Sequence, residues 1–344
     1  MEKKIKTLTL SILLLCITTI ASTFNARLNN LNLSMLKAIN TGNYSRVLMA
    51  LNQGANVNAK YNHGYTPLHH AVKQGSYNIV NLLITRGAHI NARNTYGQTP
   101  LHSIAGYYGR DKIVKILLNK GADVNAVINK PGQGIGGQTP LHISAYRGNY
   151  NVSRMLIEKG ADVNAKISGG VNNGMTPLHM LCWSNFNIKE RFLIAKLLIA
   201  RGANVHLKGG YNLATPLHKA AFFGLDKITR LLISKRVNVN AKKKDGYTPL
   251  HNAAMNGRYN VVRILISRGA NVNARNKYGR TPIFLAGMSG HRKVIRYLVI
   301  KGAKLNIVDK KGKTPLDITP DRRAYDLLKR YGARHSRNFR RTGS

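Results

Sequence analysis

Apolar residues fall along this chain in helix-length bursts, separated by glycines and polar turns. One burst reads Ile79, Val80, Leu82, Leu83 and Ile84, a spacing that lines one face of a short helix. Before such a burst comes a segment that opens on Thr-Pro and closes on glycine. Thr is a good N-cap and Pro is favoured in the first helical turn, so each Thr-Pro predicts a helix start. Gly75, Gly109, Gly148, Gly224, Gly257 and Gly290 suit the left-handed turn that ends this first helix. Gly87, Gly121, Gly160, Gly202, Gly269 and Gly302 cap the apolar helix that follows. In one unit Arg236 stands in that second place, which predicts a strained or differently tightened turn.

The chain start follows another pattern. Lys3, Lys4 and Lys6 precede an apolar run from Leu8 to Ala21, with small residues at Thr19 and Ala21. A basic head, a short apolar run and small residues predict a secretory signal peptide, residues 1–21, cleaved between Ala21 and Ser22. The run rises only about 21 Å as a helix, short of a hydrocarbon core of roughly 30 Å, which disfavours an uncleaved anchor. Leu15 before Cys16 argues against lipidation. No other segment is long and apolar enough to span a membrane, and the protein reads as exported, periplasmic or secreted. Residues 22–30 read as a short linker.

Thr-Pro-Leu, once Thr-Pro-Ile, begins at Thr66, Thr99, Thr139, Thr176, Thr215, Thr248, Thr281 and Thr314, in steps of 33, 40, 37, 39, 33, 33 and 33 residues. The motif extends to Thr-Pro-Leu-His at His69, His102, His142, His179, His218 and His251, whereas Phe284 and Asp317 stand in the last two units. Gly-Ala and Asn-Val-Asn-Ala close each unit, as in Gly269 to Ala274. On these residues the chain closely resembles the ankyrin repeat, over residues 31–332. The resemblance implies an all-helical repeat solenoid of stacked helix-turn-helix units with β-hairpin-like fingers, about nine units in all. An N-terminal cap is expected over 31–63, repeats from 64, and a C-terminal cap over 312–332 whose second helix is Tyr325–Tyr331. A basic tail, residues 333–344, follows. The resemblance also implies that the motif histidine hydrogen-bonds between neighbouring repeats. Joined to an export signal, the module resembles exported bacterial ankyrin-repeat proteins that act on a host.

Composition narrows the chemistry. The chain has 54 Lys+Arg against 12 Asp+Glu, a formal charge of +42, with 43% hydrophobic residues. Ample apolar content excludes wholesale disorder. Two cysteines, Cys16 and Cys182, exclude a disulfide framework and a cysteine-based zinc site. So few carboxylates point away from an acid/base or metal-dependent enzyme, and no cofactor, metal or small-molecule substrate is implied. Gly132-Gln-Gly134-Ile-Gly136-Gly137 contains G-x-G-x-x-G, but it lies in an enlarged finger before Thr139-Pro140, without the βαβ setting of a dinucleotide site. Repeated asparagines near the fingers read as turn and backbone partners.

The expected function is a non-catalytic scaffold, a monomer, that binds an acidic protein through its concave face and fingers. By the resemblance the concave surface carries Lys73, Tyr107, Tyr108, Tyr146, Arg147, Phe222, Phe223, Met255 and Met288. These large side chains either anchor a partner or pack partly against the neighbouring finger. Basic residues crowd the fingers at Lys60, Arg93, Lys130, Lys166, Lys208, Lys242, Lys243, Lys244, Arg275, Lys277, Arg280, Lys310, Lys311 and Lys313, and the tail adds Arg334, Arg337, Arg340 and Arg341. A positive stripe of this kind steers acidic partners. The alternative is a polyanion binder, taking nucleic acid, anionic lipid or acidic glycan on the same fingers. The fingers before Thr139 and Thr176 are enlarged, and a further insertion, Trp183-Ser184-Asn185-Phe186-Asn187, lies between two helices.

Overall fold

A computed structural model describes residues 2–129, 136–183 and 188–338. Lys130, the first glycines of the G-x-G-x-x-G run, Ser184 to Asn187, Arg340 and Arg341 lie outside the described residues. Among the described residues the chain is an all-helical repeat solenoid: regular elements are helical, and the single bridge of strand type joins Gly209 to Ala214 within one finger. The chain divides into two compact units. Unit 1 is Met1–Ile104 with Tyr108–Ala126, and unit 2 is Ala105–Tyr107 with Val127–Ser344.

Unit 1 contains three helix pairs, of which the first uses the long helix Glu2–Asn40 with Tyr44–Asn52. The linker expected over 22–30 is part of that long helix, because the segment holds no glycine or proline to end it. Only its last turns enter the core: Met35, Ala38 and Ile39 are buried, whereas Ile17, Ile20 and Phe24 are 56%, 68% and 65% exposed. Among the described residues no helix is long and apolar enough to cross a membrane.

Unit 2 repeats one plan. The inner helices Pro140–Arg147, Pro177–Cys182, Pro216–Phe223, Pro249–Met255 and Pro282–Met288 pack in series. Each is followed by an outer helix, as Pro216–Phe223 is by Asp226–Ser234. Leu141, Leu178, Leu217, Leu250 and Ile283 are buried to within 1% of their surface. Each such side chain contributes roughly 1.5–3 kcal/mol. Small neighbours such as Ala220, Ala221, Ala253 and Ala254 let adjacent inner helices approach closely.

The motif histidine ties this plan together. In unit 2 the backbone N–H of Thr176 donates to Nδ1 of His179 at 3.2 Å, and Nε2 of the same ring reaches the Ala214 carbonyl, just before the next Thr-Pro, at 3.1 Å. His142, His218 and His251 repeat the arrangement on Met175, Tyr247 and Arg280, as does His69 of unit 1 on Gln98. Since Nδ1 accepts, Nε2 carries the proton and donates, so the neutral tautomer is required. Phe284 ends the series as a buried apolar side chain. Asp317 takes over in the last unit, where Oδ2 accepts from the backbone N–H of Thr314 at 2.9 Å and from its hydroxyl.

Two C-terminal expectations change. The last helix is Arg322–Arg330, started by Asp321, whose carboxylate accepts from the Ala324 N–H at 2.7 Å. Residues 333–338 do not form a free basic tail: Ala333 is buried, His335 Nδ1 meets Asp317 at 2.7 Å, and the Ser336 N–H donates to that carboxylate. Arg236 adopts a left-handed backbone at φ +58, as the glycines at the equivalent turns do.

Burial lowers His69, His179, His218 and His251 to about 4. The unfolded chain titrates them near 6.5, so it takes up protons first as pH falls, and the folded state loses stability between 6.5 and 4. The slope is roughly 1.4 kcal/mol per pH unit for each histidine at its steepest. Denaturant unfolding of the whole chain at pH 7, 6, 5 and 4.5 checks this, and a flat profile refutes it. Asp309 and Asp317 act only lower: burial raises them, but hydrogen bonds from Lys313 and Arg280, and from Thr314, His335 and Ser336, hold both below the usual range. Arg236→Gly removes the left-handed strain and raises stability by about 1 kcal/mol, readable as a higher denaturation midpoint.

Candidate functional site

The fingers of unit 2 are loops closed by backbone hydrogen bonds. Lys243 donates to the Tyr247 carbonyl at 3.1 Å, Asn276 to Arg280 at 3.0 Å and Asp309 to Lys313 at 2.8 Å. Backbone bonds also join each tip to its neighbour: Tyr211 N–H to Val171 O and Gly210 N–H to Asn173 O, Lys244 N–H to Asn212 O, Lys277 N–H to Asp245 O and Lys310 N–H to Tyr278 O. At the finger base the repeated asparagines clamp one repeat to the next. Asn240 donates to the Gly269 carbonyl at 3.0 Å and accepts from the Asn271 N–H at 2.8 Å, and Asn273 treats Gly302 and Lys304 likewise. These amides are occupied by the backbone, as expected, and leave the tips to carry any binding chemistry.

Carboxylates in these fingers are occupied too. Asp245 pairs with Lys277, and the hydrogen bond from that ammonium holds the Asp245 carboxyl below its ordinary value. Asp309, buried, accepts from the N–H groups of Lys311 and Lys313 at 2.9 and 3.1 Å and from Arg280 Nε at 3.1 Å. Lys166, Lys208, Lys242, Lys244, Arg275, Lys277, Lys310, Lys311 and Lys313 are exposed; Lys60 and Arg93 are exposed in unit 1. A cleft of about 440 Å³ between two fingers is lined by His206, Lys208, Asn238, Asn240 and Lys242. Arg280 is half-buried over Phe284. Lys243 is half-buried with its ammonium 4.8 Å from the Tyr247 ring centroid.

The large side chains expected on the inner-helix surface separate into two groups. Tyr107 and Arg147 of unit 2, and Lys73 and Tyr108 of unit 1, are exposed. Tyr146, Phe222, Phe223, Met255 and Met288 are half-buried. Tyr146 packs with Trp183 against Ile167, Met175 and Met180, and the Phe222 and Phe223 rings meet at 5.0 Å.

Other residues, not singled out from the sequence, stand out in the structure. Val171, Tyr211 and Leu213 occupy adjacent tips at 61%, 71% and 48% exposure, and Leu213 holds a left-handed φ of +53. Lys219 lies over the Trp183 ring at 4.4 Å. A signal for Lys219 existed: it follows the motif histidine, where the other units carry His70, Ser103, Ile143, Met180 and Asn252. Cys182 is buried beneath, its thiol pushed up to about 12 by burial and so neutral. Among the described residues no group of three or more His, Cys, Asp or Glu side chains is placed to hold a metal ion.

The repeat geometry agrees with the comparison to known families. The family model for ankyrin repeats (three copies) matches residues 13–94, 34–128, 80–167, 126–209 and 188–276, and that for ankyrin repeats (many copies) matches 254–299. The chain belongs to the ankyrin-repeat family. Membership indicates a protein–protein interaction scaffold. Similar curated proteins include alpha-latrotoxin-Lhe1a of Latrodectus hesperus and alpha-latrotoxin-Lt1a of Latrodectus tredecimguttatus, each 38% identical over 76 residues. The matched stretch is 22% of this ankyrin-repeat chain and 5% of either relative.

Asp309→Ala leaves two finger N–H groups and Arg280 without their acceptor. The expected cost is about 1–3 kcal/mol, with new protease cleavage confined to residues 305–314. Unfolding and cleavage patterns identical to wild type refute that role.

Proposed function

We propose that the protein is an exported, non-catalytic scaffold that binds an acidic segment of another protein on the fingers and inner helices of unit 2. One observation carries the reading: finger carboxylates Asp245 and Asp309 are tied up internally, while Lys208, Lys242 and Lys244 face solvent on the finger of the exposed Tyr211 and Leu213 and the next one, and Lys310 and Lys311 face solvent further along the row. Exposed cations draw an acidic chain in, and large apolar side chains at the tips supply contact area that charge alone lacks. Strain at Leu213 supports the same place, since unfavourable backbone is retained where function over-determines it. Export is supported by the basic head, the apolar run and the exposure of Ile17, Ile20 and Phe24 on a helix that reaches the core only near Met35.

The test compares an acidic glutamate-rich peptide with duplex DNA, RNA and anionic vesicles over ~50 to ~500 mM salt. Wild type should hold the peptide at ~150 mM salt. Tyr211→Ala with Leu213→Ser should weaken it about tenfold, and Lys242, Lys244, Lys310 and Lys311 changed to Gln should weaken it further. Nucleic acid or vesicles bound tightly at physiological salt, indifferent to Tyr211 and Leu213, would replace this reading by the polyanion one. Fusing residues 1–30 to a reporter tests export: the reporter is expected outside the cytoplasm, cleaved after Ala21.

A further inference from the structure

Lys219 leaves the inner helix Pro216–Phe223 half-buried, with its ammonium 4.4 Å from the Trp183 ring centroid. Lys243, on the following finger, is also half-buried, over Tyr247, whose carbonyl accepts both from the Lys243 backbone N–H and from the His218 ring next to Lys219. Among the described residues neither ammonium makes a hydrogen bond or an ion pair, and the Asp245 carboxylate near Lys243 is already bonded to Lys277. Partly desolvated cations are ordinarily matched by an anion, because burial weakens hydration without supplying an acceptor. Here each presents three N–H donors beside an aromatic wall.

We propose that Lys219 and Lys243, walled by Trp183 and Tyr247, form the seat for one carboxylate side chain of the protein partner. The inference rests on the acidic-partner reading above and adds the anchoring point to it. The ionisation of the neighbourhood supports it. Burial, then Lys243, lowers Lys219 to about 8, with Cys182 acting the other way. Burial also lowers Lys243, against Asp245. Of the groups facing Lys219 from the helix Pro177–Cys182, the Cys182 thiol titrates near 12 and the His179 ring near 4, as does His218 beside it, so none of these changes charge between pH 7 and 9. A carboxylate against Lys219 raises its proton affinity. Binding therefore takes up a proton near pH 8, and affinity is lost as pH rises through that value.

The experiment uses the full chain and a capped peptide of six glutamates at ~50 mM salt, with calorimetry in two buffers of different ionisation heat. Wild type is expected to bind about tenfold more weakly at pH 9 than at pH 7, with proton uptake at pH 8. Lys219→Met should bind about tenfold more weakly at pH 7 and show no pH dependence. Lys219→Arg should keep wild-type affinity from pH 7 to 9, because its guanidinium stays charged, an outcome that a merely structural lysine does not produce. Equal wild-type affinity at pH 7 and 9, or Lys219→Arg as weak as Lys219→Met, overturns the seat and leaves the acidic-partner reading standing. A peptide that does not bind wild type at either pH overturns that reading itself.

Discussion

The structure depends on a buried, neutral imidazole that serves two repeats at once. One nitrogen accepts from the N-terminus of its own inner helix, and the other donates to the carbonyl just before the next Thr-Pro. Both bonds lie out of water, where an unmet polar group is costly. Proline is favoured at a helix start because the N–H it lacks would have no intrahelical acceptor there, and threonine caps the turn. The histidine adds to these the register between repeats. Where it is absent, other chemistry closes the gap: Phe284 fills the space with a ring, and Asp317 caps Thr314 and holds the C-terminal residues through His335 and Ser336.

A second line of bonds runs along the finger bases. Asn240 and Asn273 each meet one carbonyl and one N–H of the following repeat, so a side-chain amide repeats there what the imidazole does near the inner helices. With both lines saturated by backbone, register does not depend on which side chains stand at the finger tips or on the exposed inner-helix positions. That independence explains how fingers as different as Gly169–Gly174 and Lys242–Tyr247 sit in one array.

Much of this was legible in the sequence. The helix starts follow from the recurring Thr-Pro, the bonding of the histidines between repeats follows from the resemblance to the ankyrin repeat, and the asparagines read as backbone partners, though not as clamps between repeats. Arg236 could be singled out because it breaks a glycine series, and it adopts that series' backbone. What repetition cannot show is contact between positions that differ among units. Lys219 over Trp183 and the return of His335 to Asp317 each join residues without counterparts in neighbouring repeats. The helix through 22–30, against the linker expected there, follows from a different feature: helix continuity depends on the absence of a breaker.

The two kinds of positive charge in unit 2 have different physical consequences. Finger lysines such as Lys242, Lys244 and Lys310 are exposed, so their field is screened within about 8 Å at physiological salt and discriminates poorly among anions. They raise encounter rates with any acidic chain. Lys219 and Lys243 are partly desolvated against aromatic rings, where screening is weaker and an acceptor must be placed within hydrogen-bond reach. Misplacing that acceptor leaves a cation buried without an anion, which penalises the wrong ligand more than it rewards the right one. On the proposed reading, discrimination among acidic segments therefore belongs to the inner-helix lysine and its finger neighbour, and capture belongs to the tips.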